Sequence, residues 1–458
     1  MSENTESSPG VGVIGAISLT EDDFESMEIE DKKKAQDEED DILLVPEWKE
    51  KKKHIFILSS AGKPIYSRHG SEDRLVTLFG VMQALVSFVQ DSQDTIQSIK
   101  AGNVTIAFLI KGPIILVSVS RIGESVDHMR LQLLYVYNQV VSVLTLTQLT
   151  RVFEQRGNFD LRRLLAGSER LIDHLLHFTE TQPGFLLGAV KCLPMSSSTR
   201  DLISQTIVNS CAKIKNLVFA ILIADNKLIT VVKMKKYNLH PADLHIIFNM
   251  VNSSESFKPA ESWTPICLPT FDASAYMHGH VSYLSEDCEA CLLLLSIDRD
   301  MFFNLSEAKQ TIVDKLRRNN SLEAINEALH KPSISASDLN IANVWHFLYK
   351  YNSVAQFWGP KLEAPYAKKE EQERLLHLYE KLHSTVHKSG RTLKLVFQQL
   401  QTETMLGWYT IFLLIPVGLC DVIICTQLEL GRDGSVVLCS LIFDNDYRLV
   451  SPYGLLTA

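Results

Sequence analysis

Three patterns in the chain have residue types that could do chemistry, and the first is a glycine fingerprint. Gly10, Gly12 and Gly15 match the spacing G-x-G-x-x-G, in which glycines let the backbone approach a pyrophosphate at a helix N-terminus. A working fingerprint follows a strand and opens a helix. No strand pattern precedes Gly10, and an acidic segment follows Gly15. We therefore interpret these glycines as part of a flexible segment and predict no nucleotide cofactor.

The second pattern is a cysteine pair, Cys288-x-x-Cys291. A structural zinc ion takes four ligands, usually from two such pairs. Two further cysteines, Cys420 and Cys425, are spaced five apart and lie far along the chain. We expect Cys291 to begin a buried strand, where free cysteine is common, and we predict no zinc site.

The third pattern is a set of histidine pairs. Histidine ligates metals and titrates near neutral pH, but no third ligand stands at motif spacing from any pair. The pairs are His240 and His245, His278 and His280, and His383 and His387. The sequence also lacks the phosphate-loop, nucleophile-elbow, zinc-protease and kinase motifs. We therefore expect no metal, no cofactor and no covalent catalysis.

Charge is distributed unevenly along the 458 residues, whose net charge is −9. Residues 1–41 hold fourteen acidic residues against three lysines, so the rest of the chain carries a net charge of +2. A general nucleic-acid-binding protein would show a basic excess, so we do not expect that class. The N-terminus lacks a secretory signal and the eight cysteines are scattered, so we expect reduced thiols and a cytoplasmic location.

We predict that residues 1–47 form a disordered acidic tail, because apolar residues there are too sparse to offset chain entropy. A short apolar island, Asp41–Pro46, ends this segment. It is either a docking motif or the lead-in to the folded part, and we favour the lead-in.

The predicted strands and helices that would position functional residues repeat in one order along the chain. The first copy of this order lies between residues 48 and 182. Two short strands form a hairpin, and a helix over Ser71–Val89 has apolar residues at every third or fourth position. Three strands and a run of helices follow, which gives the order ββα, βββ, αα. The strand near Thr95–Lys100 would lie at an edge of this sheet, where unpaired backbone groups can dock another protein.

The same order returns between residues 183 and 333, and it begins again in residues 338–458. The third copy has strands at Val344–Tyr349 and Val354–Trp358 and a helix over Lys368–Lys388. We therefore predict an α+β fold of three tandem units, each an antiparallel five-stranded sheet with helices on its faces.

Two basic clusters lie at unit edges, Lys51, Lys52 and Lys53 in the first unit and Lys235 and Lys236 in the second. Each is either a solvated edge or a surface that attracts anionic lipid or an acidic partner. The acidic tail could also fold back on such a patch.

Long stretches of the chain resemble the SAND family of vacuolar fusion proteins. They are KKKHIFILSSAGKPIYSRHGSED from Lys51, VSRIGES, LRRLLAGSERLIDHLL ending at Leu176, and the later helix EEQERL. The resemblance covers roughly residues 42–408.

The resemblance implies three longin domains and a heterodimer with a second three-longin subunit. It also implies that the two first longin domains together bind a late-endosomal Rab GTPase and promote GDP release. Peripheral recruitment to endosomes carrying phosphatidylinositol 3-phosphate, and fusion with the vacuole or lysosome, are implied as well. An exchange factor needs no covalent catalyst, since it only has to bind the nucleotide-free GTPase best.

We therefore expect the partner-binding residues on the first strand, on the helix after the hairpin and on the edge strand. The candidates are Ile55, Ile57, Ser71, Leu75, Leu78, Met82, Thr95 and Ile99. For each apolar candidate the alternative is core packing.

The resemblance ends near Trp408. Residues 408–420 are mostly apolar and contain Pro416, but they are fewer than the ~20 residues that a membrane helix needs. We expect the third unit to be atypical and incomplete after residue 408, with exposed apolar surface.

The predicted function is a non-enzymatic subunit of a Rab exchange complex in endosome maturation. The alternative is a longin-type trafficking adaptor or tether without exchange activity. A third interpretation, an enzyme that uses a metal or a nucleotide, would be supported only by the glycine fingerprint at Gly10 and the cysteine pair at Cys288.

Overall fold

The computed structural model describes most of the chain between residues 45 and 456. The described residues are 45–157, 159–254, 257–339, 344–352, 354–387, 392–411, 419–426 and 453–456. The glycine fingerprint and nearly all of the acidic tail lie outside them.

The first unit is an antiparallel five-stranded sheet in the order β2-β1-β5-β4-β3. Its strands are β1 (Lys53–Ser59), β2 (Pro64–Ser67), β3 (Ser98–Ala101), β4 (Val104–Lys111) and β5 (Ile114–Ser120). Its helices are α1 (Pro46–Lys49), α2 (Val76–Asp91), α3 (Val126–Leu144), α4 (Leu146–Gln155), α5 (Arg162–Leu165), α6 (Glu169–Thr181) and α7 (Pro183–Leu187).

Both faces of the first sheet are apolar, because alternate residues of β1 point to opposite sides. Phe56 and Leu58 pack under α2, whereas Ile55 and Ile57 pack under α3, α4 and α6. Ser125 starts α3 by accepting a hydrogen bond from the His128 backbone N–H at 3.2 Å. The result is a three-layer unit, with α2 and Trp48 of α1 on one face.

The second unit has the antiparallel order β8-β7-β11-β10-β9, and one short strand adds to its edge in parallel. The strands are β7 (Leu217–Ala224), β8 (Lys227–Met234), β9 (Ser262–Leu268), β10 (Ala273–Ser285), β11 (Cys288–Ser296) and the added β17 (Tyr453–Leu456). The helices are α8 (Ser197–Cys211), α9 (Pro241–Ser253), α10 (Pro269–Asp272), α11 (Phe302–Arg318) and α12 (Ser321–His330).

The third unit has the antiparallel order β14-β15-β16-β12-β13, extended in parallel by a strand that precedes the second unit. The elements are β6 (Val190–Lys191), β12 (Val344–Tyr351), β13 (Gln356–Trp358), α13 (Lys369–Val386), β14 (Leu395–Gln399), β15 (Thr404–Ile411) and β16 (Leu419–Thr426).

These elements confirm the predicted α+β fold of three units with antiparallel five-stranded sheets. The predicted break at Trp408 needs correction for the sheet, because β15 runs through Ile411 and β16 pairs with both β15 and β12. The third unit therefore has all five strands. The chain beyond β16 lies outside the described residues except for β17.

The second and third units are joined through the segment that carries β6. This strand pairs with β13, and the next residue, Cys192, forms a parallel bridge with Leu228 of β8. The first unit covers both neighbours: α3 and α6 contact α9, and α3, α6 and α7 contact α13. Among the described residues, no helix is long and apolar enough to cross a membrane.

Candidate functional site

The two cysteines of the predicted pair lie on opposite faces of the second sheet. Cys288 belongs to the core beside α8 and α11, whereas Cys291 belongs to the core beside α9. Both are buried, and burial raises the pKa of the Cys291 thiol to about 12. Within the described part of the chain, no group of three or more His, Cys, Asp or Glu residues could hold a metal ion.

The predicted histidine pairs make structural contacts. His240 accepts a hydrogen bond from the Ala242 backbone N–H at 3.1 Å and so caps α9. His280 lies 3.0 Å from a carboxylate oxygen of Glu261.

Four of the predicted partner-binding residues lie in the first-unit core. Ile55 and Ile57 have no exposed surface, Leu75 is 1% exposed and Met82 is 5% exposed. The prediction of direct partner contact needs correction for these four. The strand β1 is buried along its whole length, and the apolar period of the helix marks the side that packs on the sheet.

The other four predicted residues reach the surface. Ser71 and Thr95 are exposed, and Leu78 and Ile99 are partly buried against the core under α2. Ile99 lies on β3, and β3 is an edge strand of the first sheet, as predicted. Its outer side is paired with no strand among the described residues.

The surface that the sequence analysis missed is the outer side of α2. Val76, Val81, Leu85 and Phe88 are 51%, 53%, 39% and 75% exposed. Val81, Leu85 and Phe88 follow each other at spacings of four and three, so they form one stripe on the helix. We call Val81, Leu85 and Phe88 the α2 stripe.

Small, uncharged residues accompany the stripe. Gly80 and Ala84 lie between the large apolar side chains, and a Cβ atom built at Gly80 meets no atom within 4 Å. No charged residue occurs between Val76 and Gln90. A partner helix can therefore approach α2 closely, and charge depletion is typical of the buried centre of an interface. This absence of charge is the sequence signal that could have identified the stripe.

The equivalent helix of the second unit, α9, is covered by the first unit through a buried polar network. The amide nitrogen of Asn249 donates to Gln139 Oε1 and to the Leu171 backbone oxygen, both at 2.8 Å. The amide oxygen of Asn249 contacts Nδ1 of His174. These bonds satisfy a buried amide and fix the register of α9 against α3 and α6.

A second buried contact lies one turn earlier on α9. The His245 ring lies 3.2 Å from the Tyr135 hydroxyl and 3.0 Å from the Ala189 backbone oxygen. Burial lowers the pKa of His245 to about 4, so the ring is neutral at physiological pH.

Comparison with known proteins assigns the three units. The chain matches the profiles described as the first, second and third longin domains of FUZ, MON1 and HPS1, over residues 53–175, 215–314 and 343–430. It is 46% identical to the chicken vacuolar fusion protein MON1 homolog A over 373 residues, which is 81% of this chain and 67% of that protein.

Two further relatives agree. The pufferfish (Takifugu rubripes) protein SAND is 44% identical over 398 residues, 87% of this chain and 75% of the relative. The human MON1 homolog A is 44% identical over 374 residues, 82% of this chain but only 57% of the relative's length. This chain belongs to the MON1/SAND family. The predicted family is confirmed.

In this MON1/SAND chain the α2 stripe therefore lies on the first longin domain, and α9 and α13 are the equivalent helices of the second and third. The third family profile extends to residue 430, which agrees with the continuation of the sheet beyond Trp408. The similarity to the family therefore continues beyond residue 408, where the sequence resemblance was predicted to end.

The predicted basic clusters differ in their exposure. Lys51, Lys52, Lys235 and Lys236 are exposed. Lys53 is 4% exposed and forms an ion pair with Glu124 at 2.7 Å. Lys53 therefore holds the start of β1 to the loop before α3, and the prediction of a free anion-binding role needs correction for this residue.

Proposed function

We propose that this chain is the subunit of a heterodimeric guanine-nucleotide exchange factor for a late-endosomal Rab GTPase, acting in vesicle fusion with the vacuole or lysosome. The names of its relatives, vacuolar fusion proteins, support the trafficking role. The observation that carries the molecular part is the α2 stripe, because it is an apolar helix face that the described residues leave exposed.

The proposal assigns the α2 stripe to the second longin subunit. In the second and third longin domains the equivalent helices contact helices of the first domain, so a longin domain is able to supply the cover that this helix needs. The edge strand β3, with Ile99, and the exposed Ser71 and Thr95 lie around the same helix and are assigned to the rim of the composite surface.

Exchange by such a complex requires no covalent step. The complex has to bind the nucleotide-free GTPase more tightly than the GDP-bound form, and the difference in affinity displaces the switch loops and releases GDP. The buried, neutral His245 and the raised pKa of the buried Cys291 thiol are compatible with a protein that works through its surfaces.

Membrane recruitment is assigned to the exposed basic residues. Lys51 and Lys52 precede β1, and Lys235 and Lys236 follow β8. Lysines near an anionic leaflet contribute about 1 kcal/mol each, so these four support peripheral binding to membranes that carry phosphatidylinositol 3-phosphate. Replacing all four by glutamate should release the chain from such vesicles, and the Lys53→Gln variant should not.

The test is release of a fluorescent GDP from a late-endosomal Rab, measured with this chain alone, with the candidate longin partner alone and with both. Acceleration by the pair only is the expected result. No acceleration with a partner that still co-purifies would overturn exchange activity and favour the second candidate, a longin-type adaptor or tether. Absence of co-purification would contradict the heterodimer itself.

A further inference from the structure

The outer edge of β8, the side turned away from β7, is covered by different parts of the chain. At the start of the strand, the Leu193 backbone N–H donates to the Leu228 carbonyl at 2.9 Å. The buried guanidinium group of Arg200 on α8 then donates to the Ile229 carbonyl. These contacts belong to the body of the second domain. The last four residues of the edge, 231–234, are covered in another way, and we call them the acceptor edge.

The acceptor edge is filled by β17. The four residues of β17 pair in parallel with it, from Tyr453 opposite Val231 to Leu456 opposite Met234. Helix α8 contacts both strands, so it forms a wall along the same edge. Four residue pairs are a short ladder, and closing the long connection from β16 costs chain entropy. A second segment with the same pairing can therefore compete with β17 for this edge.

The equivalent edge of the third sheet is filled in the same way. There β6 pairs in parallel with β13, which is the second strand of its domain, as β8 is. The first sheet differs, because β2 begins with Pro64, which has no N–H, and the Ser67 N–H donates to Glu72 Oε1 at 2.9 Å. Two of the three longin sheets thus take a parallel strand at this edge, and the first closes the edge with its own residues.

The side chains of the acceptor edge indicate which kind of segment fits it. Val231, Val232 and Met234 are apolar. The ammonium group of Lys233 donates to an asparagine side chain in the following loop at 2.9 Å. The strand seated here, Tyr453–Leu456, has no charged residue. An extended, uncharged and mainly apolar segment therefore matches both the backbone and the side chains of this edge.

We propose that the acceptor edge is a docking site for an extended apolar segment of a second protein, which displaces β17 and adds to the second sheet as a parallel strand. Main-chain hydrogen bonds supply the affinity of such an addition. The strand β17 is then a built-in competitor, which closes the site while it is seated and opens it when it leaves. The site is separate from the α2 stripe, and it does not depend on exchange activity.

The first test is binding of a labelled, acetylated peptide with residues 449–458 to the full chain, measured by fluorescence anisotropy. Gly454→Pro with Leu455→Pro should unseat β17, because adjacent strand residues point to opposite sides and proline has no N–H. This variant should bind the peptide at least about tenfold more tightly than the unaltered chain, since its edge is free. Val450→Pro with Ser451→Pro, two prolines placed before β17, should leave the affinity within about twofold. An equal gain in both variants would contradict the role of β17.

Backbone pairing is tested on the peptide, so that folding of the chain is not affected. A peptide N-methylated at the positions of Gly454 and Leu455 keeps every side chain but loses both N–H groups. It should bind the Gly454→Pro, Leu455→Pro variant at least about tenfold more weakly than the unmodified peptide. Equal binding of the two peptides, or no binding of the unmodified one, would overturn the proposal.

Cross-linking tests the register of the added strand. Met234→Cys is introduced into the proline variant, and the chain is treated with oxidised glutathione and peptide. A peptide with cysteine at the position of Leu456 should form a disulfide, and one with cysteine at the position of Tyr453 should not. Faster reaction of the second peptide would mean antiparallel addition and would contradict the proposed pairing.

Sedimentation equilibrium of the unaltered chain tests for another occupant. We expect a monomer whose mass the unlabelled peptide does not change. A dimer that the peptide dissociates would show that a second copy of this chain holds the acceptor edge through its own β17. That result would overturn the assignment of the site to a different protein.

Discussion

Two equivalent helices, α2 of the first longin domain and α9 of the second, meet very different surroundings. Each follows the first hairpin of its domain and packs one side on the sheet. Helix α9 is buried continuously from Ala242 to Asn249, because α3 and α6 of the first domain lie on its outer side. Helix α2 instead exposes Val81, Leu85 and Phe88.

The difference indicates what a longin domain needs on this helix. The covered helix α9 presents His245 and Asn249 outward, and both have matching polar partners in the first domain. The α2 stripe of the first domain, with Gly80 and Ala84 beside it, presents apolar and small residues. In this chain the first domain covers the equivalent helices of its two neighbours, whereas the described residues leave the α2 stripe exposed. The proposed longin partner is expected to supply an apolar surface for it.

Placing charge on the α2 stripe should have the largest effect, and the quantity affected is the affinity for the longin partner. Val81→Glu with Leu85→Glu places two carboxylates at the centre of the expected interface and should weaken binding of the longin partner by at least about a hundredfold. The measurement is the dissociation constant of the two purified subunits.

The matched control is Gln90→Glu, a new charge on the same helix but off the stripe. It should leave partner affinity unchanged, and the thermal midpoint of the free chain should be similar for both variants because all three positions are exposed. Full partner affinity in the stripe variant would show that α2 is not the docking surface.

The polar network on α9 gives the next largest effect. Asn249→Ala leaves Gln139 and the Leu171 carbonyl without their donor, which should lower the free energy of unfolding by about 2–4 kcal/mol. Urea unfolding measures this. Asn252→Ala, an exposed position on the same helix, should cost less than about 1 kcal/mol. Equal losses would mean that the network does not stabilise the contact between domains.

The repeat order and most element bounds could be predicted, because turns and apolar periodicity are local properties of the sequence. Periodicity also explains what failed. It identifies the side of the helix that packs on its own sheet, and it therefore selects the buried Leu75 and Met82 as candidates for partner binding. It carries no information about whether a second protein covers the other side. The prediction that Lys53 is free to bind an anion was wrong for a related reason, because its partner Glu124 lies 71 positions away in the sequence.

Contacts between domains could not be predicted from the sequence for the same reason. One cleft between the domains is lined by residues as far apart in the sequence as Lys191 and Lys369. The pairing of β6 with β13 joins strands that belong to different repeats. Each depends on how whole domains pack, and no local pattern reports that.

A fall in pH should lower the free energy of unfolding through His245 on α9, and this effect should be smaller than the two above. The pKa of His245 is about 4 in the folded chain and 6.5 ordinarily. Between these values the unfolded chain binds the proton and the folded chain does not, so stability is lost as the pH falls from 6.5. The loss from this group should reach about 2 kcal/mol near pH 5.

The His245→Gln variant isolates this contribution. Its free energy of unfolding should depend less steeply on pH in that window, by up to about 1.4 kcal/mol per pH unit. Burial raises the pKa of Asp243 to about 6, which acts with the opposite sign, but this contribution is present in both proteins and cancels in the comparison. Parallel pH profiles would contradict the role assigned to His245.

The smallest expected effect is that of Gly80→Ala, which separates the stability of α2 as a helix from its packing against a partner. Glycine inside a helix is about 1 kcal/mol less favourable than alanine, and a Cβ at Gly80 meets open space, so Gly80→Ala should stabilise the free chain by up to about 1 kcal/mol. If a partner helix packs closely on the stripe, the added methyl group should at the same time weaken partner binding severalfold. Thermal unfolding of the free chain and titration with the partner measure the two effects. Stabilisation without any loss of affinity would mean that the partner does not approach α2 at Gly80.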